Sequence, residues 1–140
     1  MPSEANHPQF IDLSDKIKED ARGLAYFPFL AETELGDRSA LLESFHLVSV
    51  LPGQVRGNHQ HPHKREWLYV FNGEGDFIWQ DDQGQRHQRR LAGDRTMVII
   101  PPGIPHALSN DGPQVLYLLA WRLPEVSGKA EPDTVPSPII

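Results

Sequence analysis

Apolar and polar positions alternate along most of this chain with the period of two that marks a strand, in short runs broken by proline and glycine. Leu41 to Leu51 sets Phe45, Leu47 and Leu51 on one face and His46, Val48 and Val50 on the other, so a strand covered on both sides is expected. Past Glu66, the run Trp67 to Phe71 turns Leu68 and Val70 inward with the glutamate, and Trp67, Tyr69 and Phe71 outward. Asp76 to Gln80 points Phe77 and Trp79 to a common side. Asp81-Asp82-Gln83-Gly84 is then a hairpin turn, and Gln85 to Leu91 its polar, exposed return strand. Met97 to Ile100 reads as a buried strand stopped by Pro101-Pro102-Gly103, and Val115 to Leu123 is apolar on both faces.

The two ends read differently. Residues 1–9 are expected to be loose, and Asp12 to Asp20 predicts a short helix, capped by Ser14 and ended by Gly23, with little apolar surface. Leu24 to Leu30 predicts a strand that Pro28 confines to an edge or a bulge, and Glu32 to Ser39 a polar loop. From Pro124 onward frequent prolines mark a tail, in which Ile139-Ile140 is available to dock on a neighbour. The expected organisation is an N-terminal arm over 1–23, one β-barrel domain over 24–123 and a Pro-rich tail over 124–140. Short strands, tight turns and no strong helix predict an all-β fold, a small antiparallel double sheet.

Composition narrows the function. A length of 140 residues suits one domain. A net charge of -6 offers no general attraction to nucleic acid or to an anionic membrane. The absence of cysteine excludes disulfides, thiolate zinc sites and a cysteine nucleophile. No apolar run approaches the ~20 residues that cross a bilayer, so a soluble cytoplasmic protein is expected. Ser44, Ser49 and Ser109 lack the context of a nucleophile elbow. Trp67, Tyr69 and Phe71 together would make a large exposed patch, so another strand or a second subunit is expected to cover them.

The chemistry concentrates in Gly53 to Gly73. His59 and His61 are two apart, which on an extended strand sends both imidazoles from one face. A polar break at His63-Lys64-Arg65 is expected to turn the chain back, so that Glu66 faces them. His63 itself reads as a solvated or neighbouring histidine rather than a ligand. His106 follows Pro101-Pro102-Gly103-Ile104-Pro105, a corner stiffened by proline, and is the candidate fourth donor. Imidazole nitrogens and a carboxylate oxygen suit one divalent transition metal, with zinc, iron, manganese, nickel, cobalt and copper all admissible.

These stretches resemble the two signature motifs of the cupin superfamily. Gly53, His59, His61, Glu66 and Gly73 match G-x5-H-x-H-x3,4-E-x6-G at every fixed position. Pro101, Gly103, His106 and Asn110 match P-x-G-x2-H-x3-N, although seven residues rather than five separate Gly93 from Pro101. The resemblance implies a double-stranded β-helix (jelly-roll) barrel, metal ligands His59, His61, Glu66 and His106, and a homodimer. Arg56-Gly57-Asn58-His59, with Asp20, Arg22, Gly23 and Leu24 upstream, is also similar to cupins that isomerise or epimerise nucleotide-linked keto-sugars. In those, basic residues hold the diphosphate, a role open here to Arg56, Lys64, Arg65 and the strand Arg86 to Arg90. Arg56, Asn58, Phe77 and Trp79 are the candidate small-molecule contacts, the two aromatics being core residues that also suit a pocket wall. The expected function is a metal-binding cupin acting on a small polar molecule, as a sugar isomerase or epimerase. A metal-dependent dioxygenase and a non-catalytic binding module are the alternatives.

Overall fold

The computed structural model describes residues 7–21, 23–26, 41, 44–92, 96–125 and 133–140. Its strands are β1 (Gln9–Asp12), β2 (Ile17–Asp20), β3 (Gly23–Tyr26), β4 (His46–Val50), β5 (Val55–Gln60), β6 (Lys64–Asn72), β7 (Glu74–Gln80), β8 (Arg86–Ala92), β9 (Thr96–Ile100), β10 (His106–Ser109), β11 (Leu116–Pro124) and β12 (Val135–Pro136). They form one five-stranded sheet in the order β1-β9-β6-β11-β4, another in the order β12-β5-β10-β7-β8, and the hairpin β2-β3. All pairs are antiparallel. This is the all-β double sheet expected, and among the described residues no helix is long and apolar enough to cross a membrane.

Alternation explains the layering. Leu68 and Val70 of β6, Val98 and Ile100 of β9, and Leu116, Leu118 and Ala120 of β11 turn into the space between the sheets, where Phe77, Trp79 and Leu108 meet them. The opposite face of the first sheet is apolar too. Tyr69, Met97 and Trp121 lie there under Leu13, Ile17 and Leu41, with Trp67 stacked on Trp121 at 6.2 Å. The chain's own N-terminal residues therefore cover most of the aromatic face assigned to another strand or subunit. Phe71 stays 38% exposed, stacked on Tyr117.

That covering role overturns the helix expected at Asp12 to Asp20. One 3-10 turn, Ser14–Lys16, is followed by strand β2, and Ser14 makes no cap. Instead the Ser14 amide and hydroxyl donate to Asp12 Oδ1 at 3.0 and 2.6 Å, and Leu13 and Ile17 are pinned into the outer cluster. Burial of two apolar residues outweighs a weak local helix signal. Gly23 opens β3 rather than ending a helix. The strand expected over Leu41 to Leu51 is also shorter. Leu41 and Ser44 lie in a helical turn closed by the Phe45 amide on the Leu41 carbonyl, and only His46–Val50 is extended. As an edge strand it leaves Leu47 59% exposed, so it is covered on one side and not both. The polar loop at Glu32 to Ser39, Pro28 and the turn at Gly93-Asp94 fall outside the described residues.

Two details position the site. Opposite β10 the register of β5 slips, His106 facing His59 and Ala107 facing Gly57, which leaves Asn58 as the extra residue of a bulge. Gly57 (φ 97°) and Asn58 (φ 55°) both take left-handed backbone there. Residues 133–140, read as a tail, pack on the barrel. β12 pairs with β5, and the amides of Ile139 and Ile140 donate to Asn58 Oδ1 at 2.9 and 3.1 Å.

A Cβ at Gly57 would lie 2.9 Å from the His106 carbonyl oxygen. Gly57→Ala is therefore expected to lower the unfolding free energy by about 2–4 kcal/mol, from strained backbone plus overpacking, as measured by urea denaturation.

Candidate functional site

Glu66 and Arg122 are cross-strand partners on the inner face of their sheet, the carboxylate buried and the guanidinium partly so. Glu66 is 4% exposed, and an uncompensated carboxylate at that depth costs several kcal/mol. Arg122 Nη1 donates to Glu66 Oε2 at 3.1 Å, while Oε1 lies 3.1 Å from His106 Nε2 and 3.4 Å from His61 Nε2. His106 heads β10 directly after its proline corner, with Nδ1 2.9 Å from the Ile104 carbonyl. β5 ends at Gln60, so His61 lies on the turn to β6 and not on the strand. The turn comes at His61 to His63, earlier than the break expected at His63-Lys64-Arg65. His61 is fixed twice over. Its carbonyl accepts from the Gly103 amide at 3.0 Å, and its Nδ1 lies 3.1 Å from the Asp133 carbonyl.

The ligand atoms of His59, His61, Glu66 and His106 all lie within 4.8 Å of one another. An Nδ1–H that donates to a carbonyl leaves Nε2 as a lone pair. In His61 and His106 these lone pairs converge on Glu66 Oε1, an arrangement that needs a positive charge among them, as a proton or a cation. His61 Nε2 is buried with no hydrogen-bond partner. Donor identity, the fixed outer nitrogens and this orphaned atom all fit a divalent ion. The electrostatics agree. Burial, then the charges of His106 and His61, push the His59 imidazole down to about 4. Burial alone would raise Glu66, but the hydrogen bond with His106, the close approach of His61 and the charges of both outweigh it and hold the carboxyl well below the usual range.

A cavity of about 450 Å³ opens beside the four residues. His59, Glu66 and His106 line it together with His46, Arg56, Arg122 and apolar side chains from both sheets, Phe77 among them. Of the small-molecule contacts expected, Arg56 and Phe77 lie on this wall. Asn58 does not, because its side chain is turned to Ile139 and Ile140. Trp79 packs instead in the core beside Phe10, its ring stacked on His87. The other basic residues are engaged elsewhere, Lys64 with Asp133, Arg65 with Glu125, Arg86 with the Ile139 carbonyl, and Arg90 with Glu74, Asp76 and Asp111. Arg89 lies over the Phe10 ring, and Arg22 is outside the described residues. His63 stays outside the cluster. His46 and Arg122 are the lining residues that motif reading missed. Alternation marked both, since each shares the parity of inward neighbours, Val48 and Val50 for one and Leu118 and Ala120 for the other.

The protein-family model described as a cupin domain matches residues 46–122. No curated protein sequence matches the chain. Among solved structures, the capsular polysaccharide assembling protein CapF of Staphylococcus aureus is 25% identical with a TM-score of 0.59 over 68% of this chain. The match covers 28% of CapF, so this chain spans little more than a quarter of that protein. A sugar 3,4-ketoisomerase, QdtA of Thermoanaerobacterium thermosaccharolyticum, solved with TDP, is 16% identical at a TM-score of 0.69, covering 93% of this chain and 88% of that one. A 3,4-ketoisomerase of Helicobacter canadensis is 15% identical at 0.70, covering 93% and 90%. At those identities the ketoisomerases share the fold. Both signature motifs, the double sheet and a family match over more than half of its length place the chain in the cupin family.

Proposed function

We propose that this chain is a metal-binding cupin enzyme that isomerises a small hydroxy-carbonyl compound of the sugar or nucleotide-sugar class. The observation that carries the reading is the convergence of His59, His61, Glu66 and His106, with one buried nitrogen unpartnered, beside a cavity sized for a small molecule that three of them line. These four residues would hold the ion, which when bound supplies Lewis-acid stabilisation of charge on a carbonyl oxygen. Arg122 orients Glu66 through Oε2, leaving Oε1 for the centre. Phe77 stacks on His106 and walls the cavity, and Arg56, held by the Ser49 carbonyl, brings a guanidinium to its mouth for an anionic group. The ligands of the similar structures support the reading. QdtA was solved with TDP, and CapF with 3-isopropenyl-tropolone, whose ring carries adjacent carbonyl and hydroxyl oxygens. A second copy of the chain fits the exposed strip of Leu47, Phe71 and Tyr117, and sedimentation at equilibrium would reveal it.

Metal analysis of purified protein is expected to give one divalent ion per chain. His59→Ala and His106→Ala should each weaken it by more than the roughly 10–100-fold that loss of an outer partner costs. Stoichiometric metal in both variants would refute the centre. Turnover of nucleotide-linked keto-sugars separates an isomerase from a binding module, which would bind them unchanged.

Deleting residues 133–140 removes the carbonyl that fixes His61 Nδ1. Metal affinity by calorimetry is expected to fall roughly 10–100-fold while circular dichroism keeps its strand signature.

In metal-free protein His59 titrates about 4 when folded against 6.5 when unfolded. The unfolded chain then binds the extra proton between those values, so this contribution to stability is complete above pH 6.5 and is lost on acidification toward 4. Thermal melts in chelator should show that slope, and His59→Gln should flatten it.

A further inference from the structure

We propose that His46 carries the proton in the isomerisation put forward above, on which this inference rests. If His59, His61 and His106 hold an ion, none of them is free to act as a base. His46 lines the same cavity as His59 and His106. It stands in β4 opposite Ala120 of β11, which in turn pairs with Leu68 of β6, two residues along from Glu66. Two strand spacings, about 10 Å, therefore separate His46 from the strand of Glu66. The gap suits a bound molecule and is too wide for a direct bond.

The ring is prepared for the task. Its Nδ1 lies 2.6 Å from the Ser44 carbonyl, so Nδ1 donates and Nε2 keeps its lone pair, with no partner among the described residues. Ser44 is anchored in turn to the strand that carries Arg122. Its hydroxyl donates to the Arg122 carbonyl at 2.8 Å and accepts from the Arg122 amide at 2.9 Å. In an α-hydroxy ketone lying between His46 and the centre, Nε2 takes the proton from the carbon bearing the hydroxyl. The C–H pair becomes the C=C bond of an enediolate, and the carbonyl π pair moves to oxygen. The imidazolium then returns its proton to the former carbonyl carbon, the hydroxyl proton passes to the other oxygen, and ketone and alcohol have exchanged places. Atoms and electrons balance without oxidant, reductant or co-reactant.

The test uses metal-loaded protein with TDP-4-keto-6-deoxyglucose in deuterium oxide, following deuterium entry beside the ketone by NMR. His46→Asn is expected to lower kcat about 100–10,000-fold and to abolish the acidic limb of its pH profile. KM and metal content should stay within about threefold. The His46 ring resonance should also move when the sugar nucleotide is added to metal-free parent protein. Exchange by the variant within about threefold of the parent, or an unmoved resonance, overturns the role of His46 alone. A parent that holds its ion yet incorporates no deuterium overturns the isomerase reading and this inference with it. Should His46→Asn fail to fold, His46→Gln serves for the same comparison.

Discussion

A carboxylate buried in a β-barrel must be satisfied from several directions at once, and Glu66 sets that demand here. Its two oxygens draw on β10 through His106, on the β5–β6 turn through His61 and on β11 through Arg122. Arg122 reaches on to Asp133, which also pairs with Lys64. Elsewhere the space between the sheets is filled by aliphatic and aromatic side chains. The polar network is thus confined to one end of the barrel, where charges are held apart from bulk water and act on one another strongly.

Both sheets serve that end, in different ways. The first is apolar on both faces, roofed by Leu13, Ile17 and Leu41, and supplies a rigid platform for Glu66 and Arg122. The second carries the irregular features, with the bulge at Asn58 and the proline corner ahead of His106. Its β7–β8 hairpin is closed locally. Asp81 Oδ1 accepts from the amides of Gln83 and Gln85, and Oδ2 lies 2.8 Å from His87 Nε2. Bonds from His87 and these amides outweigh burial and hold the Asp81 carboxyl below its ordinary value.

Much of this was legible in the residues. Alternation in β6 assigned its inner and outer faces correctly, and in β7 and β11 it grouped the residues that share a face, because successive strand residues point to opposite sides. The two motifs picked out four donors from separate segments, and the structure brings those four together. Arg122 and His46 were equally legible by parity, each a polar residue at an inward position of an otherwise apolar strand, but a motif search passes over them. Other features were not legible. Ser14 looks like a cap, yet the burial of Leu13 and Ile17 decides the local structure, and burial depends on partners remote in sequence. Asn58 taking the bulge position, and so facing Ile139 rather than the cavity, depends on a register with β10 that no local pattern encodes.

His61 Nδ1 meets a carbonyl 72 positions further along the chain. Contacts of such separation close late in folding, after local hairpins have formed, since their loop entropy must be met before they contribute. The orientation of this imidazole is therefore expected among the last features of the barrel to be set, once residues 133–134 dock against the β5–β6 turn.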